Sequence, residues 1–525
     1  MTLTEWFIFF LIVQLIHFAG TWKLYRKAGR KPWEAAIPVY NAVVLMKIIN
    51  RPWWYTLLLF IPIINLIMFP VVWVETLRSF GKNSTTDTVL GVVTLGLYIA
   101  YVNYTQDVTY IQDRELKPKS GSGEWVSSIL FAVVVATIVH TYFIQPFTIP
   151  TSSLEKTLLV GDFLFVSKMH YGARTPMTAV SFPMVHDTIP VAKVKSYTKK
   201  PQIPYFRFPA FQDIQRNDIV VFNWPTDTVP YFFYQGPETF DKPIDKKSNY
   251  VKRAVGIPGD SLELRDGYVY INGKQNELPD RARLQFAYGF TTKEPLRNIQ
   301  FLKDRYDITE IYPMSNDYKT FRANVTEEGI EMLKNNPNID QVIPLRAKPG
   351  EANPSIFPHH PSYKWNTSHF GPIYIPKAGV TVAITPESIP FYKRIIEVYE
   401  GEEMGVEQKV SVQGNQVLMN GTPFSDYTFK QDYYWMMGDN RNNSEDARMW
   451  GYVPHNHVVG KPVFIWMSWD SNEKGFNKIR WDRMFTTVGG DGEPVSYFKY
   501  FLIVLAGWFI FDFIRKRKKK NDTGL

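Results

Sequence analysis

Residues 125–144, Trp125 through Ile144, carry no Asp, Glu, Lys or Arg. At about 1.5 Å per residue, a helix of that length crosses the ~30 Å hydrocarbon core of a bilayer. In lipid every backbone N–H and C=O must be satisfied inside the segment, so such a run has little choice but helix. Three further apolar runs precede it, at residues 5–19, 54–74 and 88–103. The first lacks a charged leader and a small-residue cleavage site, so it reads as an anchor rather than a removable signal. Pro62 and Pro70 predict a kink in the second run, or a re-entrant pair. A last apolar stretch, Tyr497 to Ile514, is broken only by Lys499 and Asp512 and leads at once into Arg515-Lys-Arg-Lys-Lys-Lys520.

The chain is nonetheless polar on average, with a mean hydropathy of −0.20. The membrane part must therefore be balanced by a large water-exposed part. The expected organisation is a membrane region over 1–124 with about three spans, a transmembrane helix over 125–145, and a polar domain over 146–490. A C-terminal transmembrane helix over 496–514 and a basic cytoplasmic tail over 515–525 follow. Loop charge sets the orientation. Loop 20–53 holds Lys23, Arg26, Lys27, Arg30 and Lys31, and loop 104–124 holds Arg114, Lys117 and Lys119 before the Ser-Gly-Ser-Gly linker 120–123. Loop 75–87 has only Arg78 and Lys82. The positive-inside rule puts the basic loops and tail in the cytoplasm, with the N-terminus and residues 145–496 outside.

The 525 residues include no cysteine, which excludes thiol nucleophiles, Cys-ligated zinc and disulfides. The net charge of +9 includes the dense terminal block. Directly after an apolar span that block reads as a stop-transfer signal, and no nucleic-acid partner is expected.

Within 146–490 the pattern is strand-like. Asp218-Ile-Val-Val-Phe222, Val251 to Val255, Ser261-Leu-Glu-Leu264, Tyr268-Val-Tyr-Ile271 and Val417-Leu-Met419 are β-branched and aromatic runs between turn residues. Two of them run into Asn-Gly pairs, Asn272-Gly273 and Asn420-Gly421, the signal of a tight hairpin. The fold class expected is a membrane-anchored, mainly-β catalytic domain built of antiparallel, barrel-like sheets. Multiple transmembrane helices precede it and one follows. Residues 284–365 read as an irregular, charged, Pro-rich insertion without visible chemistry, containing one helix from Thr326 to Lys334.

The segment 145–168 holds the candidate chemistry. Pro146 and Pro150 enforce extended backbone before the adjacent Ser152 and Ser153, and Leu158-Leu-Val-Gly-Asp-Phe-Leu-Phe-Val166 turns into a buried strand. A hydroxyl on rigid backbone beside a membrane span is a candidate nucleophile if some base activates it. Histidine is scarce: His359-His360 and His455-Asn-His457 are the only clusters, and neither has zinc-hydrolase spacing. No metal or cofactor is expected. A Ser-His-Asp triad stays open, but no Gly-x-Ser-x-Gly elbow surrounds Ser153. Lys156 makes a Ser-x-x-Lys with Ser153, the spacing of penicillin-binding-type acyl-serine enzymes. That pair needs a helical turn, which the flanking prolines oppose, and Lys-Thr-Gly and Ser-Asp-Asn are absent. Lys252 sits in Tyr250-Val-Lys-Arg-Ala-Val-Gly-Ile-Pro-Gly-Asp260. Strand alternation gives it one face with Tyr250 and Ala254, and gives Arg253 the other with Val251 and Val255. One of the two adjacent cations must point inward. Lys252 is then either a strand lysine reaching solvent or a buried amine that loses its proton.

Four ordered boxes resemble the bacterial type I signal peptidase (leader peptidase) family. They are Pro150-Thr-Ser-Ser-Leu-Glu-Lys-Thr-Leu158 with Gly161-Asp162, Arg216-Asn-Asp-Ile-Val-Val-Phe222, Val251-Lys-Arg-Ala-Val-Gly-Ile-Pro-Gly-Asp260, and Gly438-Asp-Asn-Arg-Asn-Asn-Ser-Glu-Asp-Ala-Arg448 with Trp450-Gly-Tyr-Val-Pro454. The resemblance implies Ser153 as nucleophile and Lys252 as general base. It implies that Ser444 hydrogen-bonds and orients the lysine, and that Thr151 helps the Ser153 N–H form an oxyanion hole. Asp446 and Arg448 become a structural ion pair, and Asp439 and Arg253 become further structural support. Thr151 stands where the family has serine, and Leu154 where it has methionine. The implied activity is a serine endopeptidase at the outer face of the cytoplasmic membrane, a multi-pass protein, removing signal peptides from secretory preproteins after small residues. Its partners are then preproteins and membrane lipid. Phe143, Phe147 and Phe464-Ile-Trp-Met-Ser-Trp469 either press on the bilayer or pack in the core.

Overall fold

A computed structural model describes residues 1–117, 121–231 and 234–522, with side chains described throughout except at 304 and 519–522. Lys119, Ser120 and the far end of the basic tail therefore lie outside the described residues or side chains. The chain divides into two compact units. One gathers residues 1–143, 173–208 and 228–246, and the other 144–172, 209–227 and 247–525.

The first unit is helical. Leu3–Lys27 opens it, its N-terminus closed by a reciprocal capping pair between Thr2 and Glu5. Tyr40–Ile48, Ile64–Ser79, Thr85–Val93, Leu97–Thr105 and Gly121–Ile138 follow, the last running on through a π-helical turn, Val139–Phe143. Val44, Met46, Ile64, Val72 and Val102 pack at its centre. Glu75 is buried there between Arg51 and Arg114. Among the described residues, two helices are long and apolar enough to cross a membrane, Leu3–Lys27 and Gly121–Phe143.

The other two apolar runs are not single rods. Run 54–74 breaks after the short turn Tyr55–Leu58 and resumes as Ile64–Ser79. Pro62 cannot continue a helix, and Ile63 beside it is left-handed, at φ 70°. Run 88–103 breaks at Gly96, φ 85°, between two nine-residue helices. The expected flexible linker is also helix from Gly121 onward. Segment 173–208 is a ribbon held by isolated antiparallel bridges, Arg174 to Arg207, Thr178 to Gln202 and Ser181 to Tyr197. The Trp6 indole donates to Gln202 O at 2.9 Å, and Tyr142 meets Phe208 edge-on.

The second unit is mainly β. An eight-stranded sheet runs β1 (Ile144–Thr148), β2 (Asp162–Ser167), Val458–Ser468, β3 (Ile219–Asn223), β4 (Asn249–Gly256), Tyr433–Met437 and Val453–Pro454, with Thr486–Thr487 off the path. Every pairing in it is antiparallel. Strand β3 is buried at all five positions. Its Ile219 and Val221 enter a core with Leu154, Leu158 and Leu164, while Val220 and Phe222 enter a second core with Ala254 and Met436. A sheet covered on both faces explains why Lys252 and Arg253 are both buried, at 4% and 3% exposure, although alternation predicts one outside.

Both Asn-Gly pairs make the expected hairpins. Asn272 and Gly273 have φ 51° and 81°, and Asn420 and Gly421 have φ 51° and 82°. The insertion is not irregular. Ile339–Pro344, Gln285–Thr292, Thr320–Thr326 and Glu310–Pro313 form a four-stranded sheet, with helices Ile299–Tyr306 and Glu327–Lys334. It owns a core of Phe286, Phe290, Leu302, Phe321, Val325 and Leu333. The period-2 apolar pattern that builds it, Phe286, Tyr288, Phe290 and Phe321, Ala323, Val325, is interleaved with Gly and charged residues that obscure it. The expected helix starts at Glu327, capped by Thr326.

Candidate active site

The serine-bearing turn is fixed by its hydrophobic neighbours. After Pro150, Thr151 is extended at φ −132°, and Ser152–Leu154 make one 3₁₀ turn. Leu154 and Leu158 sink into the core on either side of Lys156, whose own φ is +72°. Leu158 N–H closes the turn on Leu154 O at 2.7 Å. Gly161 then reverses the chain at φ 89°, with Trp469 O so close that a Cβ would overlap it.

Ser153, 7% exposed, meets Lys252 of β4: Oγ and Nζ are 2.6 Å apart. Burial depresses the Lys252 pKa from 10.5 to about 8. The carboxylates of Asp446 and Glu445 pull it back up, while Arg448 adds to the depression. The amine also lies 5.2 Å from the centre of the Tyr250 ring, on the face that alternation assigns it.

Arg253 takes the opposite face. Its Nε and Nη2 reach the two oxygens of Asp439 at 2.8 and 2.6 Å, and Thr157 Oγ1 donates to the same carboxylate at 2.7 Å. Burial pushes the Asp439 carboxyl up, but the Arg253 guanidinium, the Thr157 hydroxyl and the Arg441 charge together outweigh it and the net shift is downward. Asp446 and Arg448 form a second two-pronged pair, with both contacts at 2.8 Å. Gly438 N–H also donates to Asp446. Burial opposes ionisation of Asp446, Arg448 favours it, and the net direction is again downward.

Gly438 is where these supports meet the nucleophile. A Cβ there would overlap both Ser444 Oγ and the Ser153 carbonyl oxygen. The bond from Ser444 to Lys252 that the resemblance implies is not formed: Ser444 Oγ is buried and has no partner among the described residues. Thr151 is exposed and its hydroxyl is not used to cap the turn. Lys156 is engaged elsewhere, paired with Asp307 at 2.5 Å, and its left-handed backbone rules out the helical turn a Ser-x-x-Lys pair needs. The histidine clusters serve other ends. His457 bridges Asn223 O and Glu403, and His455 bonds the Tyr434 hydroxyl. Among the described residues no group of three or more His, Asp and Glu side chains gathers as a metal site.

A family model described as "Signal peptidase, peptidase S26" matches residues 122–325 and 375–469, more than half of the chain. The chain belongs to the signal peptidase, peptidase S26 family. Among curated relatives, a protein named signal peptidase I from Buchnera aphidicola is 26% identical over 339 residues, covering 64% of this chain and 72% of its own length. One of the same name from Helicobacter pylori is 24% identical over 381 residues, 69% of this chain and 92% of its own. One from Haemophilus influenzae is 22% identical over 383 residues, 71% of this chain and 78% of its own. Residues 33–113 match a different model, described as a family of unknown function, DUF5684. The enzyme is a serine endopeptidase carried on a mainly-β unit.

Sequence reasoning missed several residues of the site. Asn440 donates from its backbone N–H to Ser153 O at 3.1 Å and from its side chain to Ser152 O at 3.2 Å. Glu310, from the insertion, accepts from Ser152 Oγ at 2.6 Å. Asn440 lies inside the Gly438–Arg448 box and could have been singled out there. Glu310 is 158 residues from Ser152 and carries no local signal.

Proposed function

We propose that Ser153 is the nucleophile and Lys252 the general base of this peptidase, and that its substrates are secretory preproteins cut after small residues. The observation that carries the reading is a buried amine, with a pKa brought down to about 8, at 2.6 Å from a buried hydroxyl. When Lys252 is neutral, the Ser153 hydroxyl donates to Nζ. As Oγ attacks the scissile carbonyl carbon, the O–C bond forms and the proton passes to Nζ. The carbonyl electrons move onto oxygen, where the Ser153 N–H and the Thr151 hydroxyl stabilise them. Collapse breaks the C–N bond, and Lys252 returns the proton to the leaving amine. Lys252 next takes a proton from water as the water oxygen attacks the acyl carbon, then returns that proton to Ser153 Oγ as the ester C–O bond breaks and the carboxylic acid leaves. Asp439 with Arg253, and Asp446 with Arg448, hold the base and the turn in register, and Ser444, unbonded among the described residues of the resting structure, orients Lys252 during turnover. The preprotein binds as an added strand.

The peptidase acts at the outer face of the cytoplasmic membrane in this reading. Helix Gly121–Phe143 is the span that leads into β1, and in this reading the apolar part of helix Phe498–Asp522, largely exposed from Phe501 to Ile514, is a further one. The hydrogen bond from Trp6 to Gln202 O and the edge-on ring contact of Tyr142 with Phe208 set the start of Leu3–Lys27 and the end of Gly121–Phe143 against the same ribbon. That supports an outer N-terminus, as the basic loops do. Anchoring peptidase and preprotein in one bilayer raises their effective concentration.

The test is cleavage of a purified preprotein, with the new N-terminus sequenced. Ser153→Ala and Lys252→Ala should abolish processing and Lys156→Ala should not. An active Lys252→Ala with a dead Lys156→Ala would overturn the assignment of the base.

A further inference from the structure

We infer that Glu310, on the inserted sheet, is a positioning residue for Ser153. This rests on the reading of Ser153 as nucleophile. Glu310 Oε1 accepts from Ser152 Oγ at 2.6 Å and also from Asn443 Nδ2. Its Oε2 accepts from Asn324 Nδ2 at 2.6 Å, and the same Asn324 amide donates to Asn440 Oδ1 at 3.2 Å. Asn440 in turn holds the carbonyl oxygens of Ser152 and Ser153. One carboxylate thus controls the side chain of the residue before the nucleophile directly. Through two asparagines it also controls the two backbone carbonyls of the turn.

The paired serines then divide the work. Ser153 faces Lys252 on the body of the unit, and Ser152 faces Glu310 on the insertion. Bonds to an ionised carboxylate are shorter and roughly twice as strong as neutral ones, so this link is a stiff one. The turn needs such a link. It has only three residues of 3₁₀ structure between an extended Thr151 and a left-handed Lys156, and the buried leucines fix its depth but not its rotation. Lys156 with Asp307, from the end of helix Ile299–Tyr306, ties down the far side.

Glu310 is not what docks the insertion. That is done by backbone bonds from Gln285 N–H to Asp439 O at 3.0 Å and from Arg441 N–H to Gln285 O at 2.9 Å, and by Ala287 N–H to Asn442 Oδ1 at 2.9 Å. Removing the Glu310 carboxylate leaves those in place and frees the turn to rotate. A misplacement of about 1 Å at a reacting atom costs on the order of a hundredfold in rate.

The experiment compares full-length Glu310→Ala, Ser152→Ala and Ser152→Thr with wild type in detergent, measuring kcat and KM for a preprotein and the thermal midpoint. Glu310→Ala and Ser152→Ala should each lower kcat by about ten- to a hundredfold, with KM and thermal midpoint near wild type. Ser152→Thr, which keeps the hydroxyl, should restore kcat. Wild-type kcat in Ser152→Ala overturns the inference, whether or not Glu310→Ala folds. A fall in thermal midpoint that accounts for the whole activity loss also overturns it. Lys252→Ala, assayed alongside, keeps the two readings apart: activity there sinks the dyad, whereas activity in Ser152→Ala sinks only the role of Glu310.

Discussion

The protonation of Lys252 should set the acid limb of the enzyme's pH profile, and a surface charge should move it. Only the neutral amine can accept the Ser153 proton, so kcat/KM should rise with pH through about 8. With that midpoint, roughly a tenth of the enzyme is competent at pH 7 and roughly nine-tenths at pH 9. Asp446 and Glu445 both hold the pKa up, but Asp446 is buried in its ion pair whereas Glu445 is exposed. Glu445→Gln therefore removes a charge without opening the core. Glu445 approaches the Tyr250 hydroxyl at 3.4 Å, and the Tyr250 ring lies beside the amine. For a separation of about 8 Å and an effective dielectric of about 40 to 80, the interaction is about 0.5–1 kcal/mol, or roughly 0.4–0.8 pH units. The sign follows from the charge. Losing a nearby anion destabilises the ammonium, so the midpoint falls and kcat/KM at pH 7 rises by about 2- to 4-fold. The assay is preprotein cleavage from pH 6 to 10 at low and high salt, with the difference between the two proteins shrinking as salt screens the pair. A midpoint that rises in Glu445→Gln, or a wild-type acid limb that is flat across pH 7–9, would refute the claim that a neutral Lys252 is the base.

The buried amine should also cost stability. Its folded pKa, about 8, lies below the unfolded value of 10.5, so the unfolded chain binds more protons between about pH 8 and 10.5. The penalty is full below pH 8 and fades as pH rises toward 10.5. Lys252→Met should be inactive yet more stable than wild type at pH 7 by up to about 3 kcal/mol, with the gap closing by about pH 10 in denaturant titrations. Asp439→Ala strands the Arg253 guanidinium at 3% exposure and should destabilise by about 3–5 kcal/mol, seen as a lower denaturation midpoint. Ser444→Ala should reduce kcat only partly and shift the acid limb, and wild-type turnover with an unaltered pH profile would remove its orienting role.

Local chemistry was legible wherever it is written in adjacent residues. Prolines and glycines marked the turn around Ser153, alternation put Lys252 and Arg253 on opposite faces, and Asn-Gly pairs announced two hairpins. The resemblance named the residues that meet. Two features of the fold escaped this reading. Hydropathy treats 88–103 as a continuous span because it sums side chains, whereas Gly96 breaks the backbone on which a rod depends; the break in 54–74 was signalled by Pro62. The insertion looked shapeless because Arg322 and Gly289 interrupt strands whose apolar faces close only against each other.

The chain alone thus determines long apolar helices, a mainly-β unit and the turn that carries Ser153, since composition, periodicity and turn residues act over a few positions, while the pairing of Ser153 with Lys252 was implied by the resemblance. What it could not state is that both cations are buried, that Ser444 makes no hydrogen bond to Lys252, or that Glu310 reaches Ser152. Those are consequences of which strands lie over which. Burial and hydrogen-bond geometry between residues a hundred or more positions apart exist only once the sheets have packed.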